Sequence, residues 1–142
     1  MTQQDDLQRF ITAQKRDYET ALLEIKQGRK QTHWMWYIFP QMQGLGRSFT
    51  SQYYGIKNLK EAKDFLENPY LSKNLYGICE ALLLLETNNP TEVFGKPDDK
   101  KLCSSMTLFA IASEGPSIFQ KVLEKYFSGK YDSRTKRILQ NN

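Results

Sequence analysis

The chain has 142 residues, enough for one domain to bury a core without help from metals or disulfides. Charged residues at 25% and aromatics at 13% exclude a disordered chain, and a net charge of +4, from 20 basic against 16 acidic side chains, is mild: it suits an anionic ligand and does not exclude weak RNA or DNA contact, although dedicated nucleic-acid binders cluster their basic residues more. Two cysteines and one histidine exclude a disulfide framework and a zinc site of familiar spacing.

Met1 to Asp6 is polar and acidic, so no secretory leader is expected, and the longest apolar run, Ala81 to Leu85, is too short for a bilayer. Cys79 and Cys103 sit among apolar residues and read as small buried hydrophobes. The expected setting is a reducing cytoplasm, with no membrane contact, no metal and no cofactor.

In chain order, Leu7, Phe10, Ile11, Tyr18, Ala21, Leu22 and Ile25 recur at helical spacing and predict a first amphipathic helix, stopped by Gly28. Asn58 followed by Glu61 resembles a capping box that opens a short helix with Leu59, Ala62, Phe65 and Leu66 inward. Asn68-Pro69 places a cap and a first-turn proline ahead of Leu71, Leu75, Ile78, Cys79, Leu82 and Leu85, and Asn88-Asn89-Pro90 ends that helix. A short helical piece over Thr91 to Phe94 stops at Gly95. Pro97-Asp98-Asp99 then sets acidic groups at the positive end of a helix carrying Leu102, Cys103, Met106, Phe109 and Ala110. Gly115-Pro116 leads into Ile118, Phe119, Val122, Leu123, Tyr126 and Phe127, ended by Gly129, and Asp132 or Ser133 caps a last short helix. With no run of strand period, repeat or linker, the expected fold is all-α: a single multi-helix domain over residues 1–142.

Residues 29–57 break the pattern. His33 to Phe39 fits one or two helical turns ended by Pro40, and Gly44, Gly46 and Gly55 favour a loop. A loop of that length inside a helical domain is usually functional or disordered, and its aromatic content argues for order.

The blocks Arg9-Phe10, Gly28-Arg29-Lys30, His33-Trp34-Met35-Trp36-Tyr37-Ile38-Phe39-Pro40-Gln41 and Gly44-Leu45-Gly46-Arg47-Ser48 resemble a bacterial family, domain of unknown function 1810. So do Tyr54-Gly55-Ile56, the stretch from Phe94 to Leu102, and Ser104-Ser105-Met106-Thr107-Leu108-Phe109, so that the resemblance runs from about residue 7 to about residue 139. Asn68-Pro69-Tyr70-Leu71-Ser72 departs from the family's His-Pro and Leu-Gly pattern and lacks its histidine. The resemblance implies a mainly helical domain in a bacterial cytoplasm and implies no established activity.

The irregular segment concentrates the distinctive chemistry. His33, the single histidine, is the natural general acid or base, with a structural histidine as the plain alternative. Trp34 and Trp36 could stack on a base or sugar ring, although on a helical turn at least one of the pairs Trp36–Phe39 and Trp34–Tyr37 must be core. Gly46, Arg47 and Ser48, with Arg29 and Lys30, could present backbone N–H groups and cations to a phosphate, although the segment is neither a Walker loop nor a dinucleotide fingerprint. Asp98 and Asp99 project about 100° apart and cannot act as a facing pair; Asp98 is the candidate proton-transfer carboxylate. Ser104 and Thr107 share a helical face and would either line a pocket or bond the backbone.

The resulting expectation is a site for a small anionic metabolite, nucleotide-like or sugar-phosphate, bound or hydrolysed. His33 and Asp98 would handle protons, and Arg29, Lys30, Trp34, Trp36, Gly46, Arg47, Ser48, Ser104 and Thr107 would hold the ligand. The alternative is a non-catalytic module that sequesters a ligand or meets a protein partner through an exposed aromatic patch. Basic Arg134, Lys136 and Arg137 read as a solvated helix face, with RNA contact as a third possibility.

Overall fold

The computed structural model describes residues 3–141, so Met1 and Thr2, part of the stretch expected to be no leader, lie outside the described residues. Among the described residues there are nine helices and no strand: α1 (Gln3–Lys26), α2 (Met35–Ile38), α3 (Phe49–Tyr53), α4 (Leu59–Glu67), α5 (Pro69–Leu84), α6 (Pro90–Phe94), α7 (Asp98–Ser113), α8 (Ile118–Phe127) and α9 (Ser133–Gln140). No helix among them is long and apolar enough to cross a membrane.

The helix starts are chemical. Asn58, Asn68, Asn89, Ser117 and Asp132 each accept backbone N–H groups of the first turn they precede. The expected capping box at α4 is half formed. Asn58 accepts from the Glu61 N–H at 2.9 Å, but the Glu61 carboxylate turns to the Lys57 N–H and to Arg9. At the end of α1, Gly28 takes φ +85°, which lets the Arg29 N–H close on the Glu24 carbonyl at 3.0 Å.

Four fully buried phenylalanines form the spine of the core. Phe10 of α1 meets Phe65 of α4 edge-on at 5.3 Å, Phe65 meets Phe109 of α7 at 5.2 Å, and Phe109 meets Phe119 of α8 at 5.7 Å. Edge-to-face and tilted pairs of this kind add roughly 0.5–1.5 kcal/mol each beyond area burial. Helix α7 is buried almost all round, since α4, α6, α8 and α9 all pack on it. The stripe expected for it, Leu102, Cys103, Met106, Phe109 and Ala110, is therefore only part of what it buries, and Cys103 is only half-buried.

The irregular segment is ordered and holds two short helices, α2 and α3. It is pinned at its base. Met42 and Ile56 form a parallel bridge, with Gln43 N–H on the Ile56 carbonyl and Ile56 N–H on the Gln41 carbonyl, both 2.8 Å. The half-buried Arg9 guanidinium donates to the carbonyls of Tyr53 (2.7 Å) and Gly55 (2.9 Å) and pairs with Glu61 at 3.1 Å. Gly55 is required there, because a side chain would start 2.8 Å from the Gln43 backbone.

Candidate ligand cleft

The cleft is built from the turn after α1. The carboxylate of Glu24, itself buried, gathers four donors: the Gln31 N–H (2.7 Å), the Thr32 N–H (3.0 Å), the Thr32 hydroxyl (2.7 Å) and the Trp34 indole N–H (2.9 Å). Burial alone would raise this carboxyl, but the donors outweigh it and hold its pKa at about 2. Trp34 is thereby fixed in the core against Phe39 and Phe94. Its indole is a structural anchor whose one polar atom is satisfied.

One turn on, Trp36 comes to the surface half-buried. It lines a cleft of about 290 Å³ with Lys30, His33, Thr50, Asp98 and Lys101. Asp98, at the first turn of α7, is clasped by the Lys30 ammonium at 2.9 Å and the Lys101 ammonium at 3.0 Å. Burial pushes its carboxyl up, yet the two ammoniums prevail and leave it below the usual carboxylate range. Lys101 also lies over the Trp36 ring, 4.2 Å from its centre, and Lys30 lies 5.1 Å from that of Trp34. Lys30 spends a further hydrogen bond on the Thr32 carbonyl, 2.7 Å. The exposed imidazole of His33 has no hydrogen-bond partner among the described residues, although its backbone carbonyl accepts from the Tyr37 hydroxyl at 3.1 Å.

The fold thus brings five sequence-selected residues, Lys30, His33, Trp34, Trp36 and Asp98, to one concavity. The others lie around or away from it. Gly46 backs the Trp36 ring, since a side chain there would start 3.6 Å from the ring edge and 2.8 Å from Ser51. Ser48 caps α3 by accepting the Ser51 N–H at 3.1 Å. Arg47 is exposed beside the cleft and off its lining, and Arg29 lines a separate groove with Gly28, Thr91 and Gly95. Ser104 and Thr107 give their hydroxyl protons to the carbonyls of Lys100 (3.3 Å) and Cys103 (2.8 Å), one turn back along α7. Thr107 also accepts the Asp132 N–H at 2.8 Å and so docks the start of α9.

Lys101 and Thr50, together with Met35 and Tyr37, line the cleft without having been selected for the site from the sequence. A signal existed for Lys101, because it stands three positions after Asp98 and so shares its helical face. Thr50 carried none, since its place depends on the pinned loop.

Fold and cleft together define a small all-α protein with one charged, tryptophan-edged concavity. The family described as "Protein of unknown function (DUF1810)" matches residues 4–139, and the chain belongs to it. The chain is similar to the crystal structure of the conserved hypothetical protein Rv1873 from Mycobacterium tuberculosis, with 42% identity and a TM-score of 0.92 over 95% of this chain and 96% of that one. No curated protein matches.

Proposed function

We propose that the cleft binds a small anionic metabolite, sugar-phosphate or nucleotide-like, in the cytoplasm. The observation that carries this is the pair of ammoniums, Lys30 and Lys101, sharing one carboxylate beside a half-buried indole. The trio keeps one positive charge in excess, and an incoming phosphate can take Lys101 from its perch on Trp36 without breaking the core. A volume of about 290 Å³ falls just below the roughly 300–1,000 Å³ typical of ligand pockets, which favours a monophosphate over a dinucleotide. Arg47, on the adjoining loop, is placed to reach a ligand that protrudes.

Binding is favoured over hydrolysis. Asp98 is held ionised by its lysines and so is a poor proton donor, and no described group orients the His33 ring as a triad would. His33 at the rim serves as a hydrogen-bonding contact.

Calorimetric titration and thermal shift against nucleoside monophosphates and sugar phosphates test the proposal. A ligand at a hundred times its Kd stabilises the native state by roughly 2.7 kcal/mol, a shift of several degrees. That shift should disappear in Lys101→Ala, and bound ligand should change indole emission in the native chain but not in Trp36→Phe. An unresponsive panel, or binding indifferent to Lys101, overturns the assignment. Turnover lost in His33→Ala would replace binding with catalysis.

A further inference from the structure

Residues 40–60 and 128–141 hold seven of the 20 Lys and Arg residues but one of the 16 Asp and Glu residues. The fold packs these segments together. Arg134 of α9 donates to the Leu45 carbonyl at 3.3 Å, and Ile138 lies 3.8 Å from where a side chain on Gly44 would begin. Arg134, Lys136 and Arg137 are exposed on α9, and Arg47 is exposed two residues beyond Leu45. None of these four forms an ion pair with a described residue, whereas Lys57 and Lys60 are matched by Asp6 and Asp64.

Next to Arg47, α3 presents two rings to solvent. Phe49 is 80% exposed and Tyr53 49% exposed, and they stack on each other at 5.8 Å with planes 15° apart. The three α9 cations by themselves fit a solvated helix face. What changes their meaning is the second segment, which adds a fourth unpaired cation and an exposed aromatic pair at the same place. Cations along a backbone track, with rings on which any base can stack, are the means by which proteins hold single strands without reading sequence. An acidic protein surface would satisfy the cations and leave the rings without a role.

The geometry points to a single-stranded nucleic acid as the partner of this face, with phosphates along α9 and Arg47 and bases on Phe49 and Tyr53. This surface adjoins the cleft at Arg47 and at Thr50 of α3, so strand binding is read with no metabolite present.

Fluorescence anisotropy of the full chain with labelled oligouridylate and oligothymidylate tests it. Four phosphate contacts at a slope of about −0.7 each predict roughly 50-fold weaker binding between about 50 and 200 mM salt. The triple variant Arg134→Ala, Lys136→Ala, Arg137→Ala should flatten that slope to about a quarter, and Phe49→Ala should weaken binding by roughly 5-fold or more. A preference for RNA or for DNA supports the proposal either way. It is overturned by absence of binding at low salt. It is also overturned if Phe49→Ala binds as well as the native chain and polyglutamate competes as well as the oligonucleotides, since the face would then be a general site for acidic partners. Melting curves check each variant, and if the triple variant fails to fold, Arg47→Ala and Phe49→Ala, both exposed, carry the test.

Discussion

Glu24 shows how one residue decides the shape of the cleft wall. Its carboxylate collects two backbone N–H groups, a hydroxyl and an indole, and it does so as the anion. Its folded pKa of about 2 lies below the ordinary 4.5, so its stabilisation is complete above pH 4.5 and is lost as pH falls through the folded value. Allowing for solvent screening near the surface, this amounts to about 1–2 kcal/mol. Glu24→Gln should lower stability by about 2 kcal/mol near neutral pH, because the new amide N–H faces donors, and the gap from the native chain should close toward pH 2. Denaturant unfolding at a series of pH values reads both effects; a gap independent of pH would mean that the anion is not what matters.

Among the elements, the joint between the first helix, the pinned loop and α4 is the most exacting, since Arg9 serves all three. Arg9→Ala removes a cation paired with fully buried Glu61 and donors to the Tyr53 and Gly55 carbonyls, a loss of about 3–5 kcal/mol by analogy with broken buried pairs. Asn68→Ala should cost less, about 1 kcal/mol, since only the cap of α5 is lost. Urea denaturation of the two variants should rank them in that order. The same elements mark what was legible in the sequence. Caps with periodicity gave α4, α5, α6, α8 and α9, periodicity gave α1, the acidic first turn and apolar spacing gave α7, and the aromatic turn before Pro40 gave α2. Helix α3 stayed hidden because its rings, Phe49 and Tyr53, point outward and leave no apolar stripe. Ser104 and Thr107 suggested a pocket because small hydroxyls stood by a core stripe. In α7, buried on nearly every side, they bond their own helix instead. Within the cleft, the His33–Trp36 block and Asp98 were visible as unusual residues, while the Glu24–Trp34 bond was not, since only the turn between them creates it.

For the molecule as a whole, the phenylalanine spine makes four helices depend on one another. Phe109 is its centre, touching both Phe65 and Phe119, and Phe109→Ala should cost about 3–5 kcal/mol, a large part of the roughly 5–15 kcal/mol that holds a domain folded. Unfolding should remain all-or-none. In Trp36→Phe, where buried Trp34 is the sole tryptophan, indole emission excited selectively and far-ultraviolet circular dichroism should follow a single transition. Two separated midpoints would show that the α2 region melts apart from the spine.

The parallel bridge between Met42 and Ile56 gives the loop it closes a neck. The exposed side chains displayed beyond that neck can move or be exchanged while the amides at Gln43 and Ile56 stay shut. Hydrogen exchange should therefore find slow protons at the neck and faster ones above it. Such a loop is a display: the exposed ring of Phe49 can be exchanged for another side chain while the frame beneath it is kept.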